Sequence, residues 1–189
     1  EETSGASGPI NRTFGSGPVD VINWILPLQR LVLGTEGSEV LCVSDAFDEP
    51  LTPTNFNLKE ASTQGSANLA AAKVDTRGLF VQRSGMRVHE TAYDFRTGDY
   101  ASTDMTVLIP DIGSPAINHM AVQRQPDTRI HCVRSDGTAA ILVADAVEGV
   151  RAWCEVETDG LINDVVVLPG TSEDAVYYNV IRGSSNCLE

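Results

Sequence analysis

The apolar residues of this chain fall in short extended runs, and a helical period is mostly absent. Residues 31–43 read LVLGTEGSEVLCV: an apolar run, a polar turn closing on Gly37, and a second apolar run. The same order returns in GLFVQRSGMRVHET (78–91) around Gly85 and in RIHCVRSDGTAAILVA (129–144) around Gly137. A weaker copy, AVYYNVIRG, reaches Gly183. Apolar runs joined by such turns predict β-hairpins, and the Asp136-Gly137 pair is a strong short signal because glycine supplies the positive φ that tight hairpins need. The four turn glycines recur about every fifty residues, which marks a repeated structural unit.

The clearest copy divides into four extended pieces, PAINHMAVQ (115–123), RIHCVRS (129–135), TAAILVA (138–144) and RAWCEVE (151–157), separated by QPDT, DG and DAVEG. The inner pieces, among them LFV, AAILVA, DVVVL and AVYYNVI, are apolar at consecutive positions, so their strands are expected to be covered on both faces. Four-stranded antiparallel sheets stacked around an axis meet that requirement, which predicts an all-β chain of β-propeller-type blades. The expected blades are residues 21–64, 65–114, 115–160 and 161–189, about three and a half in all, within one β domain spanning 21–189. SANLAAAKV (66–74) would also suit a helix and is placed as a first strand by its slot in the repeat. A β-sandwich built from the same hairpins is the alternative fold. Three and a half blades are fewer than most propellers use, so the missing ones are expected to precede Glu1 in a longer polypeptide or to come from a partner chain. Trp24, Phe80 and Trp153, each within an apolar run, are the aromatic core candidates. Residues 1–20, rich in Gly, Ser and Pro, read as a flexible leader.

Composition narrows the function. With 189 residues and 42% hydrophobic content the chain can bury a real core. Thirteen Lys and Arg against 26 Asp and Glu give a formal charge of −13, an unfavourable start for gripping phosphates or anionic membrane surfaces. No apolar run is long enough for a membrane-spanning helix. Cys42, Cys132, Cys154 and Cys187 lie far apart without C-x-x-C spacing and are expected as buried free thiols.

Signatures of catalysis are thin. His89, His119 and His131 form no pair with metal-ligand spacing, and His89-Glu90 is not followed by the second histidine of a zinc helix. No nucleophile elbow, phosphate loop or dinucleotide fingerprint occurs. The acidic segments SDAFDEP (44–50) and DFRTGDY (94–100) lack the alternating spacing of a calcium loop and read as solvated turns. RSDGT (134–138) approaches an Asp-box turn, but alanines follow where an aromatic residue should stand. No catalytic residue, metal site or cofactor is expected; the structural turn glycines Gly37, Gly85, Gly137 and Gly183 are the positions singled out.

The segments LQRLVLGTEGSEVL, LTPTNFNLKEASTQGSANLAA, GLFVQRSGMRVHETAYDFRTGDYASTDMTVLIPDI, AVQRQPDTRIHCVRSDGTAAILVA and AWCEVETDGLINDVVVLPG keep an order and spacing that carry a family likeness. From about Trp24 to Ile181 the chain resembles the C-terminal part of the tail tubular or nozzle-type proteins of tailed bacteriophages. That resemblance implies a virion structural protein made in the host cytoplasm, with propeller elements. It implies a homo-oligomeric ring below the portal and adaptor, near the tail fibres, holding DNA in and letting it pass without sequence-specific binding. Acidic walls would suit such a tube, because like charge avoids adhesive phosphate contacts. The other readings are a carbohydrate-binding propeller module and a glycosidase-like enzyme.

Overall fold

The computed structural model describes residues 7–13, 21–46, 49–145 and 148–189. Most of the proposed leader, residues 1–6 and 14–20, lies outside the described residues. So do residues 47–48 of the first acidic segment. Among the described residues the chain is all-β, with fifteen strands in four open antiparallel sheets and no helix.

Each sheet is formed by consecutive strands. Blade one comprises β1 (Ile22–Pro27), β2 (Leu31–Thr35), β3 (Glu39–Val43) and β4 (Asn57–Ser62). Blade two comprises β5 (Ala72–Val74), β6 (Arg77–Val81), β7 (Val88–Asp94) and β8 (Asp99–Asp104). Blade three comprises β9 (Ile117–Gln123), β10 (Arg129–Arg134), β11 (Ala139–Asp145) and β12 (Val150–Val156). Blade four has three strands, β13 (Leu161–Leu168), β14 (Ala175–Arg182) and β15 (Ser185–Leu188). In every sheet, sequence neighbours are spatial neighbours, the meander expected of a blade. The first strands of successive blades adjoin one another. A β-sandwich would have gathered the same hairpins into two opposed sheets, and four sheets in series are found instead.

The consecutive apolar positions are explained by what lies on either side. Along β6, Leu79 and Val81 pack with Ile130, Cys132 and Leu142 of blade three, while the intervening Phe80 packs with Trp24, Leu26 and Val32 of blade one. Along β10, Cys132 faces blade two, and Val133 joins Ile162, Val165 and Val180 of blade four. Side chains alternate across a strand, so a strand sandwiched between two sheets has to be apolar on both sets of positions. Phe80 is completely buried, and removal of such a ring from water contributes about 2–3 kcal/mol. The far face of blade one, around Leu33, Val40 and Cys42, is covered by Leu51 and Phe56 from the loop between β3 and β4.

Turn chemistry sets the registers. Gly137 takes φ +83° between β10 and β11, its N–H donating to the Arg134 carbonyl at 3.1 Å. Gly85 and Gly183 also lie at positive φ, but Gly37 does not, which corrects the expectation that all four do so. At Gly37 the Thr35 hydroxyl accepts from the N–H groups of Gly37 and Ser38, at 3.3 and 3.0 Å. That side chain closes the turn and removes the demand for a left-handed glycine. The segment 66–74 has no helix: Ser66 bridges Gln82, and only Ala72–Val74 is strand.

Candidate functional site: the clefts between blades

The turns joining first to second strands and third to fourth strands lie at one end of the stack, and among the described residues clefts open there between successive blades. Between blades one and two the cavity is about 200 Å³, lined by Arg30, Lys59, Tyr93 and Asp99. Between blades three and four it is about 260 Å³, with Arg124, Pro169 and Asp174. The largest, about 530 Å³, separates blades two and three.

The central cleft has an apolar floor of Leu79, Met105 and Val143 beneath charged walls. Glu90, nearly buried on β7, is met by Arg77 Nη1 at 2.9 Å and by Arg151 Nη2 at 3.6 Å. Register places Glu90 opposite Leu79 on the face toward blade three, where Arg151 of β12 can reach it. Arg124 is anchored to the Lys73 carbonyl at 3.0 Å, and Arg129 pairs with Asp127 at 3.0 Å. Asp75 on the lip adopts φ +52°, which aspartate tolerates better than most residues. The described lining residues include no His, Cys or Ser. The cleft can fix the two blades relative to each other through paired charges.

The acidic segments are satisfied locally. Asp45 accepts from Asn57 at 2.9 Å. Asp94 accepts from the Arg96 backbone N–H at 2.9 Å, and that bond, helped by the Arg96 side chain, holds its carboxyl below the usual range. At Asp99 partial burial opposes ionisation, but the Lys59 ammonium and the Tyr100 N–H outweigh it and lower the pKa. Among the described residues no group of three or more His, Cys, Asp or Glu is placed to hold a metal ion.

RSDGT proves to contain a clamp. Arg134 is buried, donating to Thr138 Oγ1 at 2.6 Å, Glu155 Oε1 at 2.9 Å and the Ile112 carbonyl at 3.2 Å. It ties β10 to β12 and to the loop that enters blade three. With Trp153 Nε1 on the Met105 carbonyl at 2.9 Å, it anchors loop 105–116, whose tip presents Val107, Leu108 and Ile109 to solvent.

The aromatic candidates divide. Trp24 and Phe80 are buried in one cluster with ring centroids 5.3 Å apart, whereas Trp153 is half-buried on the outermost strand of its blade. All four thiols are free; Cys42 and Cys132 are buried, and burial pushes them up to about 11 and about 12. Cys154 is exposed because β12 is an outer strand. His119 Nδ1 lies 3.2 Å from Asp164. His131 is held between Tyr178 Oη at 2.5 Å and Gln123 Oε1 at 3.2 Å, and burial, with Arg129 nearby, lowers it to about 4. His89 stacks on Phe80, and its buried Nδ1 has no hydrogen-bond partner.

Sequence reasoning missed Glu39. This carboxyl is fully buried between blades one and two, bonded by Ser62 and, at 3.0 Å, by Ser66; Ser62 in turn reaches Ser102 of blade two at 3.0 Å. Burial raises its pKa against the opposing pull of the serines. A lone acid at the head of the apolar strand EVLCV was the available signal. No protein-family model and no curated protein sequence matches this chain.

Proposed function

We propose that the chain is a non-catalytic structural component of a bacteriophage tail, of the nozzle type, built into a homo-oligomeric ring with portal and adaptor proteins. Its blades serve as a stiff platform for subunit contacts, and its acidic surface lets DNA slide past without adhesion. The observation that carries the reading is how the seams use their charged groups. Glu90 with Arg77 and Arg151 ties blade two to blade three, and Arg134, held by Glu155 within blade three, ties loop 105–116 to it through the Ile112 carbonyl. The tail part of the proposal rests on the resemblance read in residues 24–181 to nozzle-type proteins.

The test is co-expression with portal and adaptor proteins encoded beside it, followed by sizing with light scattering. A ring or a portal-bound complex is expected; monomers alone, with those partners present, refute the assignment. The central cleft favours a second reading, a carbohydrate site, since carboxylates and guanidinium groups suit hydroxyls. Its described lining carries no aromatic platform for a sugar ring. Glycan binding or glycosidase turnover that is lost in Glu90→Gln would establish it in place of the first.

A further inference from the structure

We propose that the cleft between blades one and two holds one pyranose ring of a saccharide, with Phe95 as the platform on which it stacks. Phe95 is 86% exposed, and every other aromatic ring among the described residues is buried or half-buried. Its place in the turn between β7 and β8 is fixed. The Gly98 N–H donates to the Asp94 carbonyl at 2.9 Å, and the Arg96 N–H donates to Asp94 Oδ1 at 2.9 Å. The Tyr93 ring stands at 84° to Phe95 with centroids 5.0 Å apart, and Tyr93 in turn meets Tyr100 at 72° and 5.7 Å. Tyr93 and Tyr100 line the cleft, with Leu41 beside them, so three rings lead from its mouth to its buried floor. A platform held in this way needs no ordering when a ligand arrives.

Two features select a sugar. The first is the pairing of those rings with charged hydrogen-bonding groups. Lys59 of blade one meets Asp99 of blade two in the cleft, and Asp99 Oδ1 also accepts from the Tyr100 N–H at 2.9 Å. An ammonium has three donors and a carboxylate about four acceptor sites, so neither group is exhausted by these bonds. A pyranose presents an apolar C–H face, whose hydrogens suit the negative face of an aromatic ring, and a rim of hydroxyls that both donate and accept. An alkyl side chain in the same place would take water from Lys59 and Asp99 and return no hydrogen bond. The second feature is size. The cavity, about 200 Å³, falls below the roughly 300–1,000 Å³ of pockets that enclose a drug-sized ligand. It admits one ring and leaves the rest of a glycan in solvent.

The inference does not rest on the tail assignment. It also differs from the saccharide reading of the central cleft, whose described lining has no aromatic platform. Saturation-transfer NMR of the isolated chain with the methyl glycosides of glucose, galactose and mannose, each at about 10 mM, should show transfer from at least one, with a Kd on the order of 1 mM. Phe95→Ala, at an exposed position, should leave the circular dichroism unchanged and weaken that binding about tenfold. Phe95→Trp should keep it. Absence of transfer from all three glycosides overturns the inference, and so does equal binding by wild type and Phe95→Ala. Binding that survives Phe95→Ala and is lost in Glu90→Gln overturns it in favour of the central cleft. Tighter binding of adenosine or of tyrosine amide than of any glycoside, lost in Phe95→Ala, overturns the choice of a sugar.

Discussion

Gly137 and Gly183 separate two penalties that usually arrive together. Both glycines are left-handed, at φ +83° and +62°. An added Cβ at Gly183 meets nothing within 4 Å, so Gly183→Ala should carry only the backbone strain, about 1–2 kcal/mol. At Gly137 the same Cβ would stand 2.6 Å from Leu161 Cδ2, 2.9 Å from its Cβ and 3.1 Å from its Cα. Two of those atoms cannot swing aside by a rotamer change. The Ile162 N–H also donates to the Gly137 carbonyl at 2.8 Å, so the start of β13 is pinned in place. Overpacking against fixed atoms adds about 1–3 kcal/mol, giving about 2–5 kcal/mol for Gly137→Ala, and more for Gly137→Val with its branched side chain. Urea unfolding followed by the fluorescence of Trp24 and Trp153 gives the midpoints; for a chain of this size each kcal/mol also moves Tm by about 2–4 °C. If Gly137→Ala and Gly183→Ala destabilise equally, within about 0.5 kcal/mol, the contact between blades three and four is not as described, and the reasoning fails.

Phe80→Ala should lose about 3–5 kcal/mol, because the ring is wholly enclosed between blades one and two; a loss under about 1 kcal/mol in the same unfolding assay would contradict that enclosure. Burial holds the folded pKa of Glu39 above the ordinary glutamate value, so its stabilising contribution is present at acid pH and is lost as pH rises through the raised value. The stability of Glu39→Gln relative to wild type should therefore increase between pH 4 and pH 8, and a constant difference would exclude the mechanism. His131 is lowered from 6.5 to about 4, so its neutral form favours the fold fully above pH 6.5 and that advantage drains away as pH falls toward 4. Across that window His131→Gln should shed up to about 3 kcal/mol of the acid sensitivity of wild type; identical pH slopes for the two proteins would rule this out.

Strands and hairpins were readable where the signal is local. The third unit, called as four pieces between 115 and 157, is found as β9 to β12 with boundaries moved by at most two residues, because a strand's alternation and an Asp-Gly turn are properties of adjacent residues. Gly37 misled because a glycine at a turn does not disclose whether φ is positive, and the Thr35 hydroxyl offered another closure. Cys154 and Trp153 misled in a related way. They stand in the short apolar run Ala152–Cys154, but β12 is the outermost of its sheet and leaves part of its surface in solvent. The short β15 was not anticipated, since SNCL has neither alternation nor an apolar run.

By itself the sequence determined the repeat, the antiparallel order within each blade and the need for cover on both faces. All three follow from neighbours along the chain: period-two side-chain direction, turn dihedrals and consecutive apolar residues. Only the tertiary structure decided which groups meet in the seams: Glu39 with Ser62 and Ser66, Glu90 between Arg77 and Arg151, Arg134 with Glu155 and the Ile112 carbonyl. A strand's pattern says which face a side chain takes, but what stands opposite depends on how one sheet is set down on the next. The same stacking covered blade one with its own loop and left blade four open.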